Sequence, residues 1–382
     1  MVDTNSQGVG IIGCGNISEA YLTLAPQYRD INIRAVSDKN MDAAKERAVQ
    51  FGITAMSVDE LLADSSISLI INLTVPDAHF EVSRQALHAG KHVYSEKPFV
   101  LNLQQAEELK QIAENKGLRI GSAPDTFLGG AHQQARQLID EGTIGRIVAG
   151  TVHVMGHGME DWHPNPDFFF QPGAGPVLDI GPYYLTNLVQ LIGPIKRVAA
   201  LSSAASATRT ITSEERHGEI INVNTPTNIH ALLEFQQGAT ITLSASWDVW
   251  AHKHRNIELY GTEGSLILPD PNFFGGQLEI AGREGEFTPV PIADHAFGRP
   301  NEIHGKEGWV ANYRAAGLAD MVQAIQNNTE HRCSLELATH IIEAMTAILQ
   351  AGETGEYVLL NTSCQQPARL DNDGARNLLS MH

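Results

Sequence analysis

Apolar residues run from Gly8 to Cys14, and from Asn16 to Leu24 they recur at helical spacing. The alternation repeats along the first third of the chain. Ile31 to Ser37 reads as a strand and Met41 to Phe51 as a helix ended by Gly52. Ser68 to Thr74, rich in Ile and Leu, reads as a buried strand, Asp77 to Ala89 as a helix stopped by Gly90, and His92 to Ser95 as the next strand. Asn102 is placed to cap a helix running to Lys116 and ending at Gly117, and Leu118 to Ala123 is a further strand. Strands alternating with helices require right-handed crossovers, which predicts an α/β fold built on a doubly wound parallel sheet.

Past Pro124 and a helix over His132 to Asp140, the period changes. Thr227 to Phe235 alternates, Gln236-Gln237-Gly238 reads as a turn, and Thr240 to Trp247 alternates again. Unlike faces joined by a short turn predict an antiparallel hairpin. Ile257 to Tyr260 and Ser265 to Leu268 predict a second, and helical patterns follow over Tyr313 to Gln326 and Leu335 to Leu349. The Ser/Ala-rich tract Ala199 to Ala207 reads as a strand end or loop. The expected organisation is a parallel-sheet domain over 1–125 and an α+β domain with a large, mostly antiparallel open sheet over 126–382.

Composition narrows the class. At 382 residues the chain exceeds the ~100–200 of a usual domain, in keeping with two. With 42% hydrophobic and 18% charged residues it can bury a sizeable core. The 26 Lys and Arg against 44 Asp and Glu leave a net charge of −18, which disfavours nucleic acid and anionic membrane surfaces. The longest apolar stretches fall well short of the ~20 residues that span a bilayer. Met1 to Gln7 is polar, so no signal peptide is expected. Cys14, Cys333 and Cys364 are scattered and form neither a disulfide framework nor a Cys-x-x-Cys site. A soluble cytoplasmic protein is expected.

Gly13-Cys14-Gly15-Asn16-Ile17-Ser18 joins the first strand to the first helix and matches G-x-G-x-x-G except for Ser18. The glycines allow a tight turn and close backbone approach to a pyrophosphate, and the helix N-terminus offers free N–H groups. Asp38 ends the second strand where a carboxylate holds the adenosine ribose hydroxyls and repels a 2′-phosphate, which favours NAD over NADP. Lys39 beside it pulls the other way. Lys97, in Ser95-Glu96-Lys97-Pro98, follows a strand at the carboxyl end of the sheet. Pro98 biases Lys97 to an extended conformation and could use a cis bond, and an ammonium there can stabilise an oxyanion or relay a proton. In Gly173 to Tyr184, Asp179 and Tyr183 lie four apart and share a face if the segment is helical, with Pro182 holding Asp179 to the first turn. Tyr183 and Tyr184 serve equally well as packing aromatics.

The Gly13 loop, Ala89 to Pro98 and Gly173 to Tyr183 together resemble the Gfo/Idh/MocA oxidoreductase family, over nearly the whole chain and in the same order. The resemblance implies a Rossmann domain followed by an α/β domain, and homodimers or homotetramers formed through the open sheet of that second domain. It makes Lys97 the catalytic lysine and puts Asp179 and Tyr183 in the Asp-x-x-x-His slot, with the tyrosine of the glucose–fructose oxidoreductase branch. It adds Thr74, Pro76, His79 and Glu96 to Gly13, Gly15, Asn16, Ile17, Asp38 and Lys97 as cofactor contacts, although Asp77 replaces the usual Asn of that loop.

The expected activity is hydride transfer between a secondary hydroxyl of a sugar or polyol and nicotinamide, with Tyr183 as acid/base, Lys97 lowering its pKa, and Asp179 orienting. Candidate substrate contacts are Asp125, Trp162, His163, Trp247, His252 and Arg299. His153, His157 and His163, or His252 with His254, raise the question of a metal. No spacing matches a metal signature and none is expected. Two alternatives stand beside this reading. One is a glycoside hydrolase that uses NAD for transient oxidation and elimination; the other is a non-catalytic nucleotide sensor. The stretch Arg283 to Gly308 is long for a loop and reads as a lid or an oligomer contact.

Overall fold

Local signals set the ends of the first helices. The side chains of Asn40 and Asn102 accept from the backbone N–H groups of Asp42 and Gln105, capping α2 (Met41–Phe51) and α5 (Leu103–Lys116). A computed structural model describes residues 6–305 and 308–380; Met1 to Asn5 and two residues of the 283–308 stretch lie outside the described residues. The chain divides into two units, one of Met1–Gly130, Asp294–Ile342 and Pro367–His382, the other of Ala131–Ala293 and Glu343–Gln366.

In the first unit the parallel strands β1 (Gln7–Ile12), β2 (Ile31–Ser37), β3 (Thr54–Ala55), β4 (Leu69–Asn72), β5 (His92–Ser95) and β6 (Ile120–Ser122) form a six-stranded sheet in the order β3-β2-β1-β4-β5-β6. The order reverses at β1 and β4, so the crevice at their carboxyl ends is the switch point where such sheets bind ligands. The connecting helices are α1 (Asn16–Leu24), α2, α3 (Val58–Ala63), α4 (Pro76–His88) and α5. The alternation does not signal α3; a reciprocal capping box between Ser57 and Glu60 starts it.

The second unit holds a nine-stranded sheet built from β7 (Ile147–Met155), β8 (Ile195–Ser203), β11 (Asn228–Phe235), β12 (Thr240–Ser246), β13 (Ile257–Gly261), β14 (Ser265–Leu268), β15 (Glu279–Ala281), β16 (Thr288–Pro289) and β19 (Val358–Leu359). Both predicted hairpins form, β11 with β12 and β13 with β14, and the sheet is antiparallel except where β12 pairs with β7. The Ser/Ala-rich tract is strand up to Ser203, as part of β8. Strands β9 (Thr208–Thr210) and β10 (Ile220–Asn222) make a separate ribbon. Helix α6 (Gly130–Asp140) precedes β7, and α7 (Pro176–Asp179) and α8 (Gly181–Ile192) lie between β7 and β8. The single helix expected around Asp179 is thus two, with Ile180 between them, because Pro182 has no N–H to continue the ladder.

The predicted 313–326 helix starts later, at Ala316, after Ala315 takes a left-handed φ of 78°. The 283–308 stretch is not structureless. It contains β16, a 3₁₀ turn Ala296–Gly298, and β17 (Glu302–His304), which pairs with β18 (Gly308–Val310).

Candidate functional site

In the first unit the Gly13 loop leaves β1 and enters α1. Gly13 has φ +108°, and a Cβ there would meet the Leu73 carbonyl oxygen at 2.5 Å, so only glycine fits. A Cβ on Gly15, by contrast, would meet nothing within 4 Å, which is the open approach that a pyrophosphate at the N-terminus of α1 needs. Ser18, at the place of the third glycine, is buried and donates to Gly15 O at 2.6 Å, bracing the turn. Asp38 accepts from Cys14 N through Oδ2 and from Asn40 N through Oδ1, each at 2.8 Å. Its carboxylate is therefore fixed beside the glycine loop with lone pairs left for hydroxyl donors. Burial and Asp38 push the Cys14 thiol up to about 11, so it adds no negative charge there.

The loops after β4 and β5 are tied together. Asn72 Nδ2 donates to His79 O and Ser83 Oγ, and Thr74 Oγ1 donates to Asn72 Oδ1 at 2.7 Å. The buried His79 ring spans Thr74 O and Pro98 O at 2.9 and 2.7 Å. His79 therefore shapes the loop at Thr74 and Pro76 with both ring nitrogens already committed to the protein. The Lys97–Pro98 bond is cis. Glu96 Oε2 accepts from Lys97 N at 3.0 Å, while Oε1 accepts from Tyr21 OH at 3.0 Å and Arg314 Nη1 at 3.2 Å. Glu96 thus sets the backbone that carries the Lys97 ammonium. No sequence signal pointed to Arg314, which lies 218 residues away.

Asp125 is fully buried; Oδ2 accepts from Gly317 N at 3.1 Å and Oδ1 has no partner among the described residues. Burial pushes its carboxyl up to about 6, against the pull of Arg314 and the Gly317 N–H. A carboxyl that holds its proton more tightly when folded contributes stability that is complete below about pH 4 and lost as pH rises through about 6. Asp125→Asn is therefore expected to unfold at higher urea than the parent at pH 8, by on the order of 2–3 kcal/mol, with the gain vanishing toward pH 4. A gain that does not change with pH would mean Asp125 is not the group responsible. Arg299 ion-pairs with Asp294, which Arg376 also meets.

In the second unit Asp179 ends α7, its N–H bonded to Gly175 O at 3.0 Å, and Tyr183 lies in the first turn of α8, its N–H bonded to Ile180 O at 3.1 Å. Every residue of α8 is buried. The two tyrosines have different surroundings. Tyr184 OH accepts from Asn256 Nδ2 at 2.8 Å, and burial together with Asp270 pushes its phenol well above the ordinary value. Tyr184 is thereby a fixed neutral phenol.

A cavity of about 250 Å³ opens beside it, walled by His153, His157, Tyr184, Trp247, His252 and Asp270 among others. Burial, with the His254 and His252 rings nearby, holds the His153 imidazole below its usual value, so it meets hydroxyls as a neutral donor or acceptor. Trp247 is buried, its ring packed on Phe169 and Phe170 in a core cluster. Trp162 and His163 are not among the described residues lining the cavity. They pack edge-to-face, with Trp162 63% exposed, and His163 Nδ1 accepts from Asn165 N. Among the described residues no group of three or more His, Cys, Asp or Glu side chains could hold a metal ion. No described helix is long and apolar enough to cross a membrane.

Residues 7–123 match the profile described as "Oxidoreductase family, NAD-binding Rossmann fold", and residues 132–267 match the GFO/IDH/MocA C-terminal domain. An uncharacterised oxidoreductase of Schizosaccharomyces pombe is 34% identical over 148 residues, 38% of this chain and 39% of the relative. The chain thus aligns with well under half the length of that relative. The 1,5-anhydro-D-fructose reductase of Ensifer adhaerens is 26% identical over 372 residues, covering 92% of this chain and 98% of the relative. In fold, the chain is similar to an NAD-binding oxidoreductase of Klebsiella pneumoniae with a TM-score of 0.80, at 21% identity over 94% of this chain and 100% of the other. With both profiles matched in order, and the glycine loop and two sheets in place, the chain belongs to the Gfo/Idh/MocA family of oxidoreductases.

Proposed function

We propose that this chain is an NAD-dependent dehydrogenase of a neutral sugar or polyol. The observation that carries the reading is the Asp38 carboxylate, held by the Cys14 and Asn40 N–H groups beside the open Gly15 approach. That arrangement suits a ribose diol and opposes a 2′-phosphate, so NAD is preferred over NADP. When bound, the nicotinamide ring accepts or returns the hydride. Lys97 stabilises the alkoxide charge that develops on the substrate oxygen, Tyr183 takes and returns the hydroxyl proton, and Asp179 orients the hydroxyl. The 250 Å³ cavity is lined by His153 and Tyr184 but not by Tyr183 or Asp179, so it is the proposed seat of the part of the sugar away from the reacting hydroxyl. It is slightly below the ~300–1,000 Å³ of common ligand pockets, which suits a single ring. The named activity of the Ensifer relative, on a sugar ketone, supports the same substrate class. A cytoplasmic location belongs to this proposal. So does a homodimer or homotetramer formed through the sheet face that carries Leu201 and Leu232, 73% and 45% exposed.

A panel of sugars, inositols, dihydrodiols and aryl glycosides with NAD and with NADP tests the reading. Reduced-nicotinamide absorbance is expected with a sugar or polyol and NAD, and Asp38→Ser should narrow the NAD preference by roughly tenfold, about 1.4 kcal/mol. Reduction by no member of the panel would sink the dehydrogenase. Aglycone release without accumulated reduced cofactor would favour the hydrolase instead.

A further inference from the structure

Beyond the Tyr184 cavity the second unit contains another, of about 350 Å³, whose lining includes His157, Glu160, Ser206, Arg209, Asp248 and Trp250. Three observations define what it can hold. First, Trp250 is 82% exposed, yet its ring is fixed, stacked on the His157 imidazole with centroids 3.3 Å apart and planes 17° from parallel. One face of the indole is used by His157. The other is a flat, pre-ordered apolar platform whose electron-rich surface attracts the weakly positive C–H face of a pyranose.

Second, the polar wall is a buried ion cluster. Arg209 donates to Glu160 Oε1 at 2.8 Å and to Asp248 Oδ1, and also to His157 O and Trp247 O. Thr227 Oγ1 and Ala205 N donate to Asp248 Oδ2. One cation against two carboxylates leaves the cluster net negative, with its guanidinium already paired. An acidic sugar or a phosphate would meet repulsion there, whereas hydroxyl groups find acceptors. Gly158, with φ +112°, keeps Glu160 in place, because a Cβ there would stand 2.2 Å from Glu160 Oε2.

Third, His157 lines both cavities, and its buried Nδ1 has no hydrogen-bond partner among the described residues. A histidine shared by both cavities makes them neighbours, so one ligand can enter both. The first cavity fits one ring, the second starts at the same histidine, and an aromatic platform waits there.

We propose that the Trp250 cavity is a second sugar-ring subsite, so that the substrate is a neutral disaccharide or glycoside whose first ring occupies the Tyr184 cavity. This rests on the dehydrogenase reading for the role of the first ring but not for binding itself. The test therefore reads binding and turnover separately. Isothermal titration of NADH-saturated enzyme compares glucose, galactose, mannose and xylose with their α-1,4- and β-1,4-linked disaccharides.

At least one disaccharide is expected to bind about tenfold or more tighter than its monosaccharide, and Trp250→Ala should bring that ratio close to one. Trp250→Phe, which keeps a ring on His157, should retain most of the ratio. Ser206→Trp, filling the cavity from its exposed rim, should abolish it. Equal affinities in the parent, no binding by any disaccharide, or a ratio untouched by Trp250→Ala would each overturn the subsite. Tight disaccharide binding without reduced nicotinamide, on supplying NAD, would leave the subsite standing and remove the dehydrogenase.

Discussion

Lys97→Ala is expected to lower kcat by roughly 10²–10⁴-fold while the enzyme binds NADH almost as tightly as before. The separation follows from where the groups sit in the first unit. Cofactor affinity in the proposed reading rests on the Gly13 loop and Asp38, at the carboxyl ends of β1 and β2. Lys97 follows β5, and its backbone is held by Glu96, which is itself held by Tyr21 and Arg314. Truncating the lysine side chain leaves that anchorage intact, so the strand end should not move. The loss should therefore fall on the chemical step. NADH binding followed by fluorescence, beside steady-state turnover on the best substrate of the panel, separates the two. Turnover close to that of the parent would remove Lys97 from the mechanism. Weakened NADH binding in proportion to lost turnover would make it a cofactor contact.

The largest expected loss of stability comes from Arg209→Ala. Arg209, Glu160 and Asp248 have side chains only 9%, 7% and 12% exposed, and the guanidinium also lies over the Phe170 ring at 5.5 Å. Removing the cation leaves two carboxylates close together in a poorly hydrated setting, which costs about 3–5 kcal/mol. Urea unfolding at pH 7 measures it. The physical cause predicts a rescue: adding Glu160→Gln and Asp248→Asn to Arg209→Met should recover much of the loss, since no uncompensated charge then remains. Arg209→Ala at parental stability, or a triple variant as weak as the single one, would show that the ion cluster does not hold the β9–β10 ribbon in place.

Much of the first unit was legible because its signals are local. Five of the six strands of the parallel sheet lie in short apolar stretches, the helices read between them have a cap or a glycine within a few residues, and right-handed crossovers leave few ways to join them. The two-residue β3 and the short α3 gave no such pattern. The hairpins of the second unit were legible for the same reason, a short turn between two alternating strands. What escaped was non-local. Strand β7 sits in the middle of the second sheet, beside β12 and β13, whose paired residues lie about 90 and about 110 positions further along the chain. Its segment carries no turn signal linking it to either partner, and Ala149 and Gly150 interrupt its apolar pattern.

The sequence by itself determined the alternation that makes the parallel sheet, the glycine loop with Asp38 one crossover later, and the lysine at the end of β5. These rest on backbone sterics and nearest-neighbour period, which a chain states in order. Only the tertiary structure decided which side chains are available for chemistry. It buried Asp125 against Gly317 and committed both nitrogens of His79 to carbonyl oxygens. It also paired Arg299 with Asp294, and turned Trp247 into core while leaving Trp250 three residues on as an exposed platform. It returned residues 294–342 and 367–382 to the first unit, and it assembled Arg209 with Glu160 and Asp248 from segments 49 and 39 residues apart. Burial and charge pairing depend on what the rest of the chain brings to each position, and no local spacing encodes that.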